Sequence, residues 1–218
     1  MSIARRDVLF NLAGLIPALF GLAASGAAAA PAARKIRILA LGDSLTAGYL
    51  LPAGEGFTAV LEKALRQDGH DVTIVNAGVS GDTAAGGLAR LDWSLGEGAD
   101  GVILELGAND MLRGIDPAVT RKALERIMDH LAAAKIKVLI AGMRASPSLG
   151  ETYKNAFDGI YPDLAAKYGS LLYPFFLQGV AGDRTMTLPD GLHPNAAGVA
   201  RIVAGILPSV ENLLQAIA

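Results

Sequence analysis

Lys35-Ile36-Arg37-Ile38-Leu39-Ala40-Leu41-Gly42-Asp43-Ser44-Leu45-Thr46 is the stretch that decides the fold of this chain. Its first half is an apolar run of strand length, and it breaks off into a glycine, an acid and two hydroxyl side chains. A run apolar on both faces suits a parallel strand buried in a sheet that is covered on both sides. The same shape recurs downstream, where Val72–Asn76 leads into Ala77-Gly78-Val79-Ser80-Gly81-Asp82 and Val102–Leu106 leads into Gly107-Ala108-Asn109-Asp110. Ile136–Ala141 and Leu171–Tyr173 are two more candidate strands. Between the strands, Phe57–Gln67, Thr83–Leu95, Pro117–Ala134 and Tyr153–Lys167 carry a helical period. Asn195–Ile217 predicts a last helix interrupted by Gly205 and Pro208. Pro117 fits a first helical turn, where its missing N–H costs nothing. Strands alternating with helices predict an α/β fold with a parallel sheet.

The 218 residues suffice for one well-buried core, and no linker or repeat appears after residue 35, so a single domain is expected over residues 31–218. Apolar residues make up 52% of the chain, partly because Val8–Leu22 is apolar. Arg5 and Arg6 precede that run and small residues from Ala23 to Ala30 follow it, which is the order of a secretory leader over residues 1–30. Arg5-Arg6-Asp7-Val8-Leu9 also resembles the twin-arginine export consensus, so the protein is expected to be exported, to the periplasm or beyond. A net charge of −2 gives no footprint for nucleic acid. The absence of cysteine excludes disulfides, thiolate metal sites and cysteine nucleophiles. Catalysis must then come from oxygen and imidazole.

In open parallel sheets ligands sit beyond the carboxyl ends of the strands, so the polar strings after the strands are where chemistry is expected. A serine hydroxyl needs a base to accept its proton and a third group to orient that base. The chain has 3 histidines. His70 falls in a polar turn, and His130 lies opposite the apolar stripe of its helix, so both should face water. His193 stands in Asp190-Gly191-Leu192-His193-Pro194, where a turn would aim the Asp190 carboxylate at the imidazole Nδ1 and leave Nε2 for Ser44. Backbone N–H of Ser44, backbone N–H of Gly78 and the side-chain amide of Asn109 are candidate donors to an oxyanion. Asp43 and Asp110, which flank these residues, read as structural hydrogen-bonding groups.

The four strings, in order and spacing, resemble the blocks of the GDSL, or SGNH, hydrolase family. Gly42-Asp43-Ser44-Leu45 is similar to the nucleophile block, Gly78 to the second, Gly107-x-Asn109-Asp110 to the third and Asp190-x-x-His193 to the last. The resemblance implies a flavodoxin-like sheet of five parallel strands, with Ser44, Gly78, Asn109 and His193 as the family's named residues. Leu106–Gly114, Ile160–Pro162 and Pro174–Phe176 are most similar to the small bacterial arylesterase, acyl thioesterase and lysophospholipase branch. Met143–Gly150 departs from the shorter loop expected there and leaves acyl preference open.

The expected chemistry is hydrolysis of an acyl ester or thioester through an acyl-enzyme, with no cofactor and no metal. Leu50, Met111, Leu112, Met143 and Pro147 are expected to border an apolar acyl groove. Phe175 and Phe176 either join it or pack in the core. The expected partners are a small-molecule acyl substrate and, transiently, lipid, but not nucleic acid; a monomer is favoured. A carbohydrate acetylesterase and a non-catalytic flavodoxin-like binding module are the alternatives. The second lacks support, since no Gly-x-Gly-x-x-Gly or Gly-x4-Gly-Lys string is present.

Overall fold

Ile36–Gly42 is the strand β1 in the computed structural model, which describes residues 35–218. The leader expected over residues 1–30 lies outside the described residues. From β1 the chain passes through α1 (Ser44–Ala47), α2 (Phe57–Gln67), β2 (Val72–Gly78), α3 (Ala84–Ala89), α4 (Leu91–Leu95) and β3 (Gly101–Glu105). It continues through α5 (Ala108–Leu112), α6 (Pro117–Ala133), β4 (Lys137–Ala141), α7 (Glu151–Asp158), α8 (Ile160–Tyr168), β5 (Leu171–Tyr173) and α9 (Ala196–Ile217). Every pairing is parallel and the strand order is β2-β1-β3-β4-β5. The order reverses at β1, so a crevice opens at its carboxyl end between the loops that follow β1 and β3.

Helices α2 and α9 pack together over one face, while α3, α6 and α8 cover the other. This double cover explains why Ile38, Leu39, Ala40 and Leu41 are all buried although successive side chains point to opposite faces. The α/β class and the five parallel strands are as expected from sequence.

Three helix boundaries differ from the sequence reading. The segment Thr83–Leu95 divides at Arg90, which leaves helical geometry at φ −108° and ψ 8°. The Tyr153 segment divides at Gly159. By contrast, α9 is continuous through Gly205 and Pro208. Pro208 cannot donate to the Ala204 carbonyl, but both residues are exposed, so water can take up that acceptor. Gly205 lies against the end of the Tyr173 side chain, whose hydroxyl a Cβ would push aside. Although α9 is long and apolar enough to cross a membrane, its stripe of Val199, Ile202, Val203, Ile206, Val210 and Leu213 is buried in the core.

Candidate active site

The strand-to-helix turn after β1 presents Ser44 as the first residue of α1. Asp43 caps this helix, its Oδ1 accepting from Leu45 N at 3.0 Å. Gly42 must be glycine, because a Cβ would run into the Thr46 hydroxyl and the Glu105 carboxyl. The result is a serine fixed at a strand end, with its own backbone N–H at a helix start and therefore without an intrahelical acceptor.

The imidazole comes from the segment before α9, which is held on several sides. Thr187 and Pro194 form an antiparallel bridge, and Leu188 N donates to the His193 carbonyl at 2.7 Å. Asn195 caps α9 through Gly198 N at 3.0 Å. Within this frame Asp190 closes a tight turn, its Oδ1 accepting from Leu192 N at 2.9 Å and His193 N at 3.0 Å. Its Oδ2 lies 2.7 Å from His193 Nδ1, and His193 Nε2 lies 2.8 Å from Ser44 Oγ across 149 positions of sequence. The Leu192 N–H, the imidazole and the His193 N–H together hold the Asp190 carboxyl down at about 2. Asp190 is therefore an anion wherever an esterase would work. Tyr49, which sequence reasoning missed, covers the imidazole with ring centroids 4.5 Å apart.

Asn109, on the short helix α5, reaches Asp43, the residue before the serine. Its Nδ2 donates to Asp43 Oδ2 at 3.0 Å and to the Asp82 carbonyl at 3.0 Å. Gly78 has another job from the one expected. Its N–H donates to the Asn76 side chain at 2.9 Å, and a Cβ there would collide with the backbone of Ala47 and Asp43. Glycine is needed at 78 so that β2 can pass under α1. Gly81, at φ +85°, precedes Asp82, whose carbonyl accepts from the Asn109 amide, and a Cβ there would stand 3.6 Å from Arg113 Nη2, an ordinary contact. Among the described residues, neither the Ser44 N–H nor the Gly81 N–H has an acceptor.

Two carboxyls are buried beneath the serine. Glu105 Oε2 accepts from Thr46 Oγ1 at 2.7 Å and from Asp43 N at 3.3 Å, while its Oε1 has no partner among the described residues. Burial, with Asp43 nearby, pushes the Glu105 carboxyl well above the usual carboxylate range. Burial also pushes Asp43 up to about 6, against the pull of the Leu45 and Asn109 hydrogen bonds and of His193. Asp110 is structural, as expected from sequence, its carboxylate accepting from Ala84 N at 2.8 Å and Thr120 Oγ1 at 3.0 Å.

A groove of about 700 Å³ opens beside the triad, bordered by Ala108 next to Asn109 and by Gly191 and Leu192 next to His193. Met111, Met143, Pro147 and Phe175 line it. Leu50 and Leu112 do not: they are 73% and 56% exposed. Leu50 takes a left-handed conformation, φ 57°, at the end of the α1 loop. Phe176 belongs to the core, edge-on to Phe57 with centroids 4.9 Å apart. The departing Met143–Gly150 segment forms one 3-10 turn, Pro147–Leu149, capped by Ser146 on the groove wall.

Residues 40–201 match the model of the GDSL-like lipase/acylhydrolase family. The chain belongs to that family. Among GDSL hydrolases, Esterase TesA of Pseudomonas aeruginosa is 40% identical over 178 residues, which cover 81% of this chain and 89% of that protein. The Escherichia coli K12 protein named thioesterase 1/protease 1/lysophospholipase L1 is 38% identical, with 72% of this chain and 75% of that one covered. The solved structure of AlinE4, a SGNH-hydrolase family esterase, aligns with a TM-score of 0.70 and 47% identity over 83% of this chain and 97% of that one. With this GDSL membership the chain is a carboxylic ester hydrolase of the serine type.

Proposed function

We propose that Ser44, His193 and Asp190 form the catalytic triad of an exported esterase acting on substrates with an apolar acyl chain. One observation carries this reading: the unbroken relay from a charged carboxylate through imidazole to a serine hydroxyl, at 2.7 Å and 2.8 Å. Ser44 Oγ attacks the acyl carbonyl while Nε2 takes its proton. The imidazolium, steadied by Asp190, then hands that proton to the departing alkoxide or thiolate. Water repeats the sequence on the acyl-enzyme. Ser44 N–H, Gly81 N–H and the Asn109 amide receive the oxyanion, with Asn109 sharing one of its N–H bonds between the Asp82 carbonyl and the new charge.

The groove supports an acyl chain longer than acetyl, because Met111, Met143 and Phe175 offer apolar walls beside the reacting carbon. Methionines adapt to varied chains. Thioesters and lysophospholipids suit the same groove and are the substrates that the name of the Escherichia coli relative gives for that protein. Lipid is then a transient partner. The order of charged, apolar and small residues over 1–30 supports export, which sequencing the mature N-terminus tests.

Hydrolysis of p-nitrophenyl esters tests the whole. Ser44→Ala should lose about 10⁴-fold or more in kcat, and retention of turnover would end the proposal. Each methylene buried in the groove should raise kcat/KM by up to about fourfold. A strict preference for acetyl would instead point to a deacetylase of carbohydrate type.

A further inference from the structure

Arg90 stands at the junction of α3 and α4, outside the triad and the lining of the groove, and its side chain is mostly buried with all three of its nitrogens committed. Nε donates to Asp82 Oδ2 at 2.6 Å, Nη1 to Ser94 Oγ at 3.0 Å and Nη2 to the Gly42 carbonyl at 2.8 Å. Gly42 leads directly into Asp43, whose Oδ2 accepts from Asn109 Nδ2. That same nitrogen donates to the Asp82 carbonyl, and the Asp82 carboxylate returns to Arg90. These contacts close a ring through the loops that follow β1, β2 and β3. The surroundings are shaped for it: a Cβ on Gly86 would meet Asp82 Oδ1 at 2.7 Å, so the helix beside the ion pair is kept free of side chain at that point.

We propose that Arg90 is a positioning residue for ester hydrolysis, holding the Gly42 and Asp82 ends of this ring so that the Asn109 amide stays where the oxyanion forms. Asn109 is gripped by two acceptors, and Arg90 anchors the chain segments that carry both. Three acceptors, one for each nitrogen, suit a guanidinium fork, whereas an ammonium reaches at most part of the set. Without Arg90 the Asp82 carboxylate loses its partner, the Gly81-Asp82 turn is released on one side, and the amide follows the carbonyl it donates to. Displacing a catalytic group by about 1 Å costs about 10²-fold in rate, even when the cause lies far from the chemistry.

The inference rests on the serine-hydrolase reading, and a double-mutant cycle separates the two. Steady-state hydrolysis of p-nitrophenyl butyrate is measured for Arg90→Lys, Asn109→Ala and the double variant, with folding checked by circular dichroism. Arg90→Lys should lower kcat by about 10- to 100-fold with KM changed by less than about twofold. In the Asn109→Ala background the same substitution should cost less than about threefold, because the group it positions is gone. Full multiplication of the two losses, or a wild-type kcat in Arg90→Lys, overturns the inference alone. A wild-type kcat in Asn109→Ala overturns the role of Asn109 and this inference with it. Should Arg90→Lys fail to fold, Asp82→Asn weakens the same arm and is read against Asn109→Ala in the same way.

Discussion

Asp190 and the Asp43–Glu105 pair place the same functional group in opposite surroundings within one site. Asp190 is partly exposed and is gripped by two backbone N–H groups and an imidazole, so its carboxyl is held at about 2. Asp43 and Glu105 are buried together, and burial pushes Asp43 up to about 6 and Glu105 well above the usual range. Charge is thus kept where an imidazolium must be stabilised and resisted where the carboxyls serve as hydrogen-bond acceptors under the nucleophile. The lesson is that donors hold a carboxylate ionised where water also reaches it, as at Asp190, whereas at Asp43 burial outweighs the donors it has.

The largest break in this comparison comes from Asp190→Asn, which preserves the shape of the turn but removes the anion and its preference for one imidazole tautomer. Its kcat for p-nitrophenyl esters should fall about 10³- to 10⁴-fold with the fold intact. Asp43→Asn comes next. An amide at Oδ2 would face the Asn109 amide donor to donor, so the grip on Asn109 weakens and kcat should drop about 10- to 100-fold, with a smaller change in KM. A loss as deep as that of Asp190→Asn would mean that Asp43 acts on the triad itself.

The smallest effect sharpens the contrast in stability. Asp190, lowered on folding, contributes stability that is present above 3.8 and lost only as pH falls through about 2. Asp43, raised on folding, works the other way: between 3.8 and about 6 the folded chain holds a proton that the unfolded chain has released, so stability declines as pH rises. Glu105 extends that decline to higher pH. Glu105→Gln keeps an acceptor for Thr46 and Asp43 N while removing one titration. Its Tm should vary less between pH 5 and 8 than that of the wild type, by about 2–4 °C for each kcal/mol removed. A parallel pH dependence of the two melting curves would show that Glu105 is not what makes the folded state lose stability as pH rises.

Much of this was legible in the sequence because the deciding signals are local. Apolar runs ending in polar strings gave the strands and the edge of the sheet that bears the site. The Asp190–His193 pair is a turn of four residues, so its spacing spoke for its geometry. The helix breaks were less legible, since Arg90 ends a helix where its side chain reaches the distant Gly42 carbonyl, and Pro208 is tolerated because its side of α9 faces water. Gly78 and Gly81 occupy one string, and sequence cannot separate a glycine needed for packing from one needed for a positive φ. Glu105 did leave a signal, a charge inside the apolar run Val102–Leu106. Tyr49 could have been found by following the nucleophile helix one turn further.

The central claim is that Ser44 is the activated hydroxyl of this chain. Treating the purified protein with a fluorophosphonate and mapping the adduct by mass spectrometry tests it most directly. A single adduct on Ser44, with loss of esterase activity in proportion to labelling, is the predicted result. Labelling at another residue, or full activity after complete modification of Ser44, would contradict it.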